Sequence, residues 1–254
     1  MKRVLCYGDS NTWGYVPGLG VRHPEDVRWT GVAAKLLGPD YRIIEEGMNG
    51  RTTAFDDPYY DFHNGKRGLG YALCAHAPLD LIVVGLGSND LKFTDAIGSS
   101  KGLQELLRLI RNASACYPDS ISEIFPNGTK ILVVSPIHLH PEVDRQGPEF
   151  DFYGKYEQSC LFAKYFQPAA ELYHAAFLDA AAYAAASPTD GVHMEPEGHR
   201  ALGEAIAKKF RRSFHEKRRR AQAALSAFFN WRAAAQRAAK RRRFSSVNFL
   251  RKPV

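Results

Sequence analysis

The chain has 254 residues, 45% of them hydrophobic and 24% charged, which suits one α/β domain with an appendage and excludes a chain too polar to build a core. No apolar run approaches the roughly 20 residues that cross a bilayer, the first residues already read as a core strand and leave no room for a secretory leader, and the cysteines (Cys6, Cys74, Cys116, Cys160) are scattered with no CxxC pair, so we expect a cytoplasmic protein with free thiols. The net charge of +7 hides a division, because from Lys208 onward 16 Lys and Arg stand against a single acid, Glu216; the first 207 residues therefore carry about −8 and the remainder about +15.

Val4–Tyr7 is a short apolar run that reads as the first strand, and GDSNTWGY follows it at residues 8–15. A helix is predicted over Thr30–Leu37, then a strand over Tyr41–Glu45 that runs into Gly47-Met48-Asn49-Gly50-Arg51. A helix over Gly70–His76 precedes a third strand, Leu79–Leu86, which is followed by Gly87-Ser88-Asn89-Asp90. Next come a helix over Leu103–Tyr117, a strand over Ile131–Ser135 with His138-Leu139-His140 behind it, and a helix over Tyr156–Tyr173. A last strand, Ala175–Leu178, leads to Asp190-Gly191-Val192-His193 and to a helix from Pro196. The third and fourth strands are apolar on both faces, which suits parallel strands covered on both sides. The alternation predicts a three-layer α/β/α sandwich around a parallel five-stranded sheet of flavodoxin-like type. Ligands of such sheets bind beyond the carboxyl ends of the strands, and the four polar segments all fall at that edge.

A serine hydroxyl is a poor nucleophile until a base takes its proton. Of the nine histidines, only His193 sits in a strand-to-helix loop with a carboxylate, Asp190, three residues before it. Ser10 is therefore the candidate nucleophile, His193 its base and Asp190 the group that orients the base. The backbone N–H groups of Ser10 and Gly50 and the side-chain amide of Asn89 are candidate donors to a developing oxyanion.

These four blocks, GDS at Gly8–Ser10, the glycine at Gly50, GSND at Gly87–Asp90 and DGVH at Asp190–His193, resemble those of the SGNH (GDSL-type) hydrolase superfamily in order and spacing, over about residues 2–210. GDSNTWGY, DVRWTGV (Asp26–Val32), IEEGMNGRTT (Ile44–Thr53), FDDP (Phe55–Pro58) and LDLIVVGLGSNDLK (Leu79–Lys92) are most similar to its bacterial arylesterase/acyltransferase group. Asn11 stands where the GDSL name has leucine. The resemblance implies a serine-dependent esterase acting on a small-molecule ester through an acyl-enzyme, with no metal or organic cofactor, and with acyl transfer to alcohols as a further activity. It implies the same roles for Ser10, His193, Asp190, Gly50 and Asn89. Deacetylation of carbohydrate or cleavage of a thioester on the same site is an alternative. A non-catalytic binding protein acting through the basic tail is an alternative of another class.

Other readings are weaker. Gly98-Ser99-Ser100-Lys101-Gly102 fits a GxSxG elbow, but that turn needs a strand directly before it, so we expect a flexible lead-in to a helix. His138 and His140 with Glu142 lack further ligands at metal-binding spacing; they are expected on the cleft rim, with His138 shaping the acyl pocket. Asp9 and Asp90 are expected to pin loops. Trp13 and Tyr15 are expected beside substrate, Trp29 suits core and site equally, and His174 and His199 are expected to be structural. The hydrolase domain is placed at 1–210. Residues 211–254, rich in alanine and arginine, are expected to be a helical extension, solvated or docked on a polyanion, an anionic membrane surface or another subunit of a homo-oligomer.

Overall fold

Lys2–Gly8 (β1), Tyr41–Gly47 (β2), Leu81–Gly85 (β3), Ile131–Ser135 (β4) and Ala176–Asp179 (β5) form one parallel sheet in the order β2-β1-β3-β4-β5. They belong to a computed structural model that describes residues 1–118, 120 and 122–212. The helices are Ser10–Trp13 (α1), Trp29–Leu37 (α2), Gly65–His76 (α3), Ala96–Arg111 (α4), Ala113–Cys116 (α5), Tyr156–Ser159 (α6), Phe162–Leu172 (α7) and Pro196–Phe210 (α8). This is the α/β/α sandwich that the alternation predicts. Side chains along a strand point to opposite faces in turn. Leu5, Tyr7, Ile82, Val84 and Val133 join a core with Leu69 of α3, Leu103 of α4 and Phe162 and Phe166 of α7. The intervening Val4, Cys6, Val83 and Leu132 are just as buried on the other face, so both faces are covered and the strands read as unbroken apolar runs.

The sheet order reverses between β1 and β3, which opens a crevice beyond their carboxyl ends. Gly8 is in register with Gly47 of β2 and Gly85 of β3. That row of glycines lets α1 lie directly on the strand ends. A Cβ on Gly8 would come 2.0 Å from Thr12 Oγ1, and one on Gly47 would come 2.2 Å from the Trp13 amide nitrogen.

Several boundaries differ from the sequence reading. The helix expected from Leu103 begins at Ala96, because Asp95 caps it by accepting from the Gly98 N–H at 2.7 Å. Residues 98–102 are therefore helix, not a flexible lead-in, and Ser99 and Ser100 are buried in it. The same helix is interrupted at Asn112, and the one expected over 156–173 is interrupted at Cys160-Leu161. The helix expected from Gly70 starts at Gly65, where the Asn64 side chain accepts from the N–H groups of Lys66 and Arg67. Among the described residues no helix is long and apolar enough to cross a membrane. The four cysteines are free. Of the extension read over 211–254, only Arg211 and Arg212 lie within the described residues.

Candidate active site

The site is built on α1. Asp9 leaves β1 in extended conformation and caps the helix, accepting from the Asn11 N–H on its side chain at 3.0 Å and from the N–H groups of Thr12 and Trp13 on its carbonyl at 3.0 and 2.9 Å. Gly14, in the left-handed region at φ 90°, ends the turn by donating to the Ser10 carbonyl at 2.8 Å. Ser10 thus occupies the first position of a one-turn helix that is fixed at both ends, and its own N–H is a first-turn donor that the helix does not use.

Ser10 Oγ lies 2.9 Å from His193 Nε2, and His193 Nδ1 lies 2.8 Å from Asp190 Oδ2. The other Asp190 oxygen accepts from the N–H groups of Val192 and His193, both at 3.0 Å, so the carboxylate is locked to the loop it orients. Burial raises the Asp190 pKa, but the hydrogen bonds from His193 and these amides outweigh it and hold the carboxyl below its ordinary value. An ionised Asp190 accepts a hydrogen bond from the Nδ1–H, which keeps the proton on Nδ1 and leaves a lone pair at Nε2 facing the serine hydroxyl. The Tyr15 ring stacks on the imidazole with centroids 4.1 Å apart.

Asn11 has a contact that the sequence reading does not contain. Its amide donates to the Val192 carbonyl at 3.3 Å, and its carbonyl accepts from the Met194 N–H at 3.1 Å. One side chain therefore grips the chain on both sides of His193. The signal was present, an amide next to the serine in place of an aliphatic residue, but its partners lie about 180 residues away.

Gly50 sits in the left-handed region at φ 76°, which favours glycine. Asn89, buried on the turn after β3, donates one amide hydrogen to the Arg51 carbonyl at 3.2 Å and keeps the second. Arg51 is itself buried and ties the strand ends together. It donates to the carbonyls of Gly8, at 2.9 Å, and Glu46, and its guanidinium lies 4.2 Å from the Tyr7 ring centroid. Asp90 accepts from the Thr53 N–H at 2.7 Å, the Thr53 hydroxyl at 2.6 Å and the Ser99 hydroxyl at 2.8 Å, which joins the Asn89 turn to the Gly50 segment and to α4. Desolvation pushes Asp90 up to about 7 and Asp9 up to about 6, against these hydrogen bonds. Both acids pin loops.

The remaining candidates are less central. Trp13 is half-buried; its carbonyl accepts from Arg22 Nε at 2.6 Å and the Arg22 guanidinium lies 5.4 Å from its ring. Trp29 is a core residue. His138 is half-buried in the segment after β4. His140 Nδ1 accepts from the Glu142 N–H at 3.2 Å and its backbone donates to Gly191 at 2.8 Å, so it braces the His193 loop. Among the described residues no three or more His, Cys, Asp and Glu are grouped to hold a metal ion. The Ser99 and Ser100 hydroxyls point to Asp90 and to the Tyr165 carbonyl, and no strand precedes them, which removes the elbow reading.

A serine, a histidine and a carboxylate in hydrogen-bonded sequence at the carboxyl edge of a parallel sheet define a class, the α/β/α hydrolases. Residues 6–201 match the model of the GDSL-like lipase/acylhydrolase family. The chain is 34% identical to the aryl esterase of M. smegmatis, covering 83% of this chain and 99% of that one at a TM-score of 0.76. It is 34% identical to a carbohydrate acetylesterase of Sinorhizobium meliloti, covering 84% and 100% at a TM-score of 0.77. A second carbohydrate acetylesterase family member from Sinorhizobium meliloti is 40% identical, over 83% and 98%, with a TM-score of 0.74. No curated protein matches. The chain belongs to the GDSL-like lipase/acylhydrolase family, and it is an enzyme that hydrolyses ester bonds.

Proposed function

We propose that the protein is a serine-dependent carboxylic ester hydrolase in which Ser10, His193 and Asp190 act as a triad. The observation that carries this reading is the continuous path Ser10 Oγ–His193–Asp190, with links of 2.9 and 2.8 Å. Ser10 attacks the ester carbonyl while His193 Nε2 takes its proton. Asp190 stabilises the imidazolium that forms. The Ser10 and Gly50 N–H groups and the free Asn89 hydrogen receive the charge that develops on the carbonyl oxygen. His193 then returns its proton to the leaving alcohol. Water, activated by the same imidazole, hydrolyses the acyl-enzyme, and a second alcohol takes the acyl group when it reaches the ester first.

The substrate is a small ester, and the likeness to an aryl esterase and to carbohydrate acetylesterases supports aryl acetates and acetylated sugars as the first to assay. A fluorophosphonate probe followed by peptide mapping tests the mechanism. The expected label is on Ser10, absent from Ser10→Ala; labelling of another serine overturns the assignment. Product partitioning tests transfer: an aryl acetate with a few per cent of a primary alcohol is expected to yield a new ester beside free acid, and free acid alone removes the transfer activity.

A further inference from the structure

A second histidine–carboxylate pair borders the oxyanion glycine. His63 Nδ1 lies 2.9 Å from Asp57 Oδ2, and the other Asp57 oxygen accepts from the Tyr59 N–H at 2.9 Å. The His63 backbone is bound into the same segment, its carbonyl accepting from the Thr52 N–H at 2.9 Å. Its ring occupies the space in front of Gly50: a Cβ there would lie 2.3 Å from Cε1 and 2.6 Å from Nε2. Tyr60 and Phe62 flank the ring at centroid distances of 4.8 and 4.9 Å. The His63 side chain is only 12% exposed and that of Asp57 8%.

We propose that His63, held by Asp57, is a specificity residue that accepts a hydrogen bond from a hydroxyl group of the ester substrate. The inference rests on the esterase reading of Ser10. With its Nδ1 proton engaged by a carboxylate, a neutral imidazole shows only a lone pair at Nε2. No hydrogen bond to Nε2 from a described residue accompanies the Asp57 contact. Among the described residues no serine or cysteine bonds to it, so the pair does not repeat the Ser10 arrangement. An acceptor beside the oxyanion glycine loses its water when substrate covers it, so it favours a ligand that brings a donor and disfavours one that leaves it unpaired. In an ester the available donor is a hydroxyl.

The test compares shape-matched esters. One pair, 2-hydroxyethyl acetate and propyl acetate, places the hydroxyl on the alcohol; the other, ethyl glycolate and ethyl propanoate, places it on the acyl group. The readout is the ratio of kcat/KM within each pair, for wild type, His63→Leu and His63→Gln. Wild type is expected to favour the hydroxylated member of one pair by about tenfold more than His63→Leu does, as for loss of one hydrogen bond. His63→Gln, which keeps an acceptor, is expected to fall between, and the responding pair tells on which side of the ester the hydroxyl is read. The His63→Leu loss on the unsubstituted ester is expected to be smaller than the loss on its hydroxylated partner. Equal losses on both members, or identical ratios in wild type and His63→Gln on both pairs, overturn the proposal. Should His63→Leu fail to fold, the His63→Gln ratios decide alone. Failure of the esterase reading is distinct: wild type would then hydrolyse no member of either pair and Ser10 would not be labelled.

Discussion

At the scale of single residues, the proposed site separates groups assigned to the substrate from groups that hold them. Ser10→Ala is expected to reduce turnover by several powers of ten without changing the melting temperature much, because among the described residues Ser10 Oγ bonds only His193; turnover and a thermal melt check both halves. Asn89→Ala removes one oxyanion donor and is expected to lower kcat by roughly two to three powers of ten. Asn11→Leu, which introduces the leucine of the GDSL name, removes both contacts beside His193 and is expected to lower kcat about tenfold or more with KM nearly unchanged, since it loosens the base and not the substrate. Ser99→Ala should leave kcat/KM nearly unchanged but lower stability by about 1–3 kcal/mol, because it takes a donor from the buried Asp90. The proposed site residues Ser10, Asp190, His193, Gly50 and Asn89 stand out in the sequence because each lies in a short polar block behind an apolar run. Asn11 and the His63–Asp57 pair do not, because their meaning lies in partners that spacing along the chain does not reveal.

Elements place those residues, and here glycines and caps decide more than propensity does. The one-turn helix α1 can sit on the strand ends only while Gly8 lacks a Cβ, which would meet Thr12 Oγ1 at 2.0 Å and the Gly85 carbonyl at 2.9 Å. The alternation of strands and helices was legible because the β3 and β4 runs are apolar on both faces. The starts of α3 and α4 were not, since glycines at 65, 68, 70, 98 and 102 weaken a helical pattern that Asn64 and Asp95 nevertheless cap. The α2–α8 layer carries a pH effect. His199 of α8 is fully buried, accepts from the Trp29 N–H at 3.4 Å through Nδ1, and is pushed down to about 3 by burial, with the charges of His23, His193 and Arg28 adding to it. Below an unfolded histidine pKa of about 6.5 the unfolded chain takes up a proton that the native state refuses, so this residue removes stability progressively as pH falls from about 6.5 to about 3. Asp9 and Asp90 act in the opposite sense: their native carboxyls hold protons up to about 6 and about 7, so their contribution falls as pH rises from about 4 through that range. His199→Asn, which keeps an acceptor for Trp29, isolates the histidine. Melting temperatures of wild type and variant should converge or cross in favour of the variant as pH drops from 7 to 4; a constant difference across that range would show that His199 does not carry the effect.

For the whole molecule, the charge division separates the enzyme from its basic segment. Every residue assigned to the reaction lies at or before His193, whereas the excess of about +15 lies from Lys208 onward. Residues 213–254 lie outside the described structure, and their charge is what bears on binding. Cations crowded on one segment attract polyanions, and that attraction weakens as salt shortens the reach of the charges, to about 3 Å at 1 M against about 10 Å at 0.1 M. Removing the residues after Phe214 deletes 12 Lys and Arg and one acid, and the catalytic cluster is untouched. Full-length protein is therefore expected to elute from a heparin column late at low salt and early above roughly 0.5 M, and the truncated protein to pass through at both. Ester hydrolysis, measured on the same two proteins with an aryl acetate, is expected to be largely unchanged, because every residue assigned to the reaction is retained. Equal retention of the two proteins on heparin would mean that the segment does not act as a polycation. A large loss of hydrolysis on truncation would instead mean that the catalytic unit depends on residues beyond 214, and would move the boundary of the hydrolase domain into the basic segment.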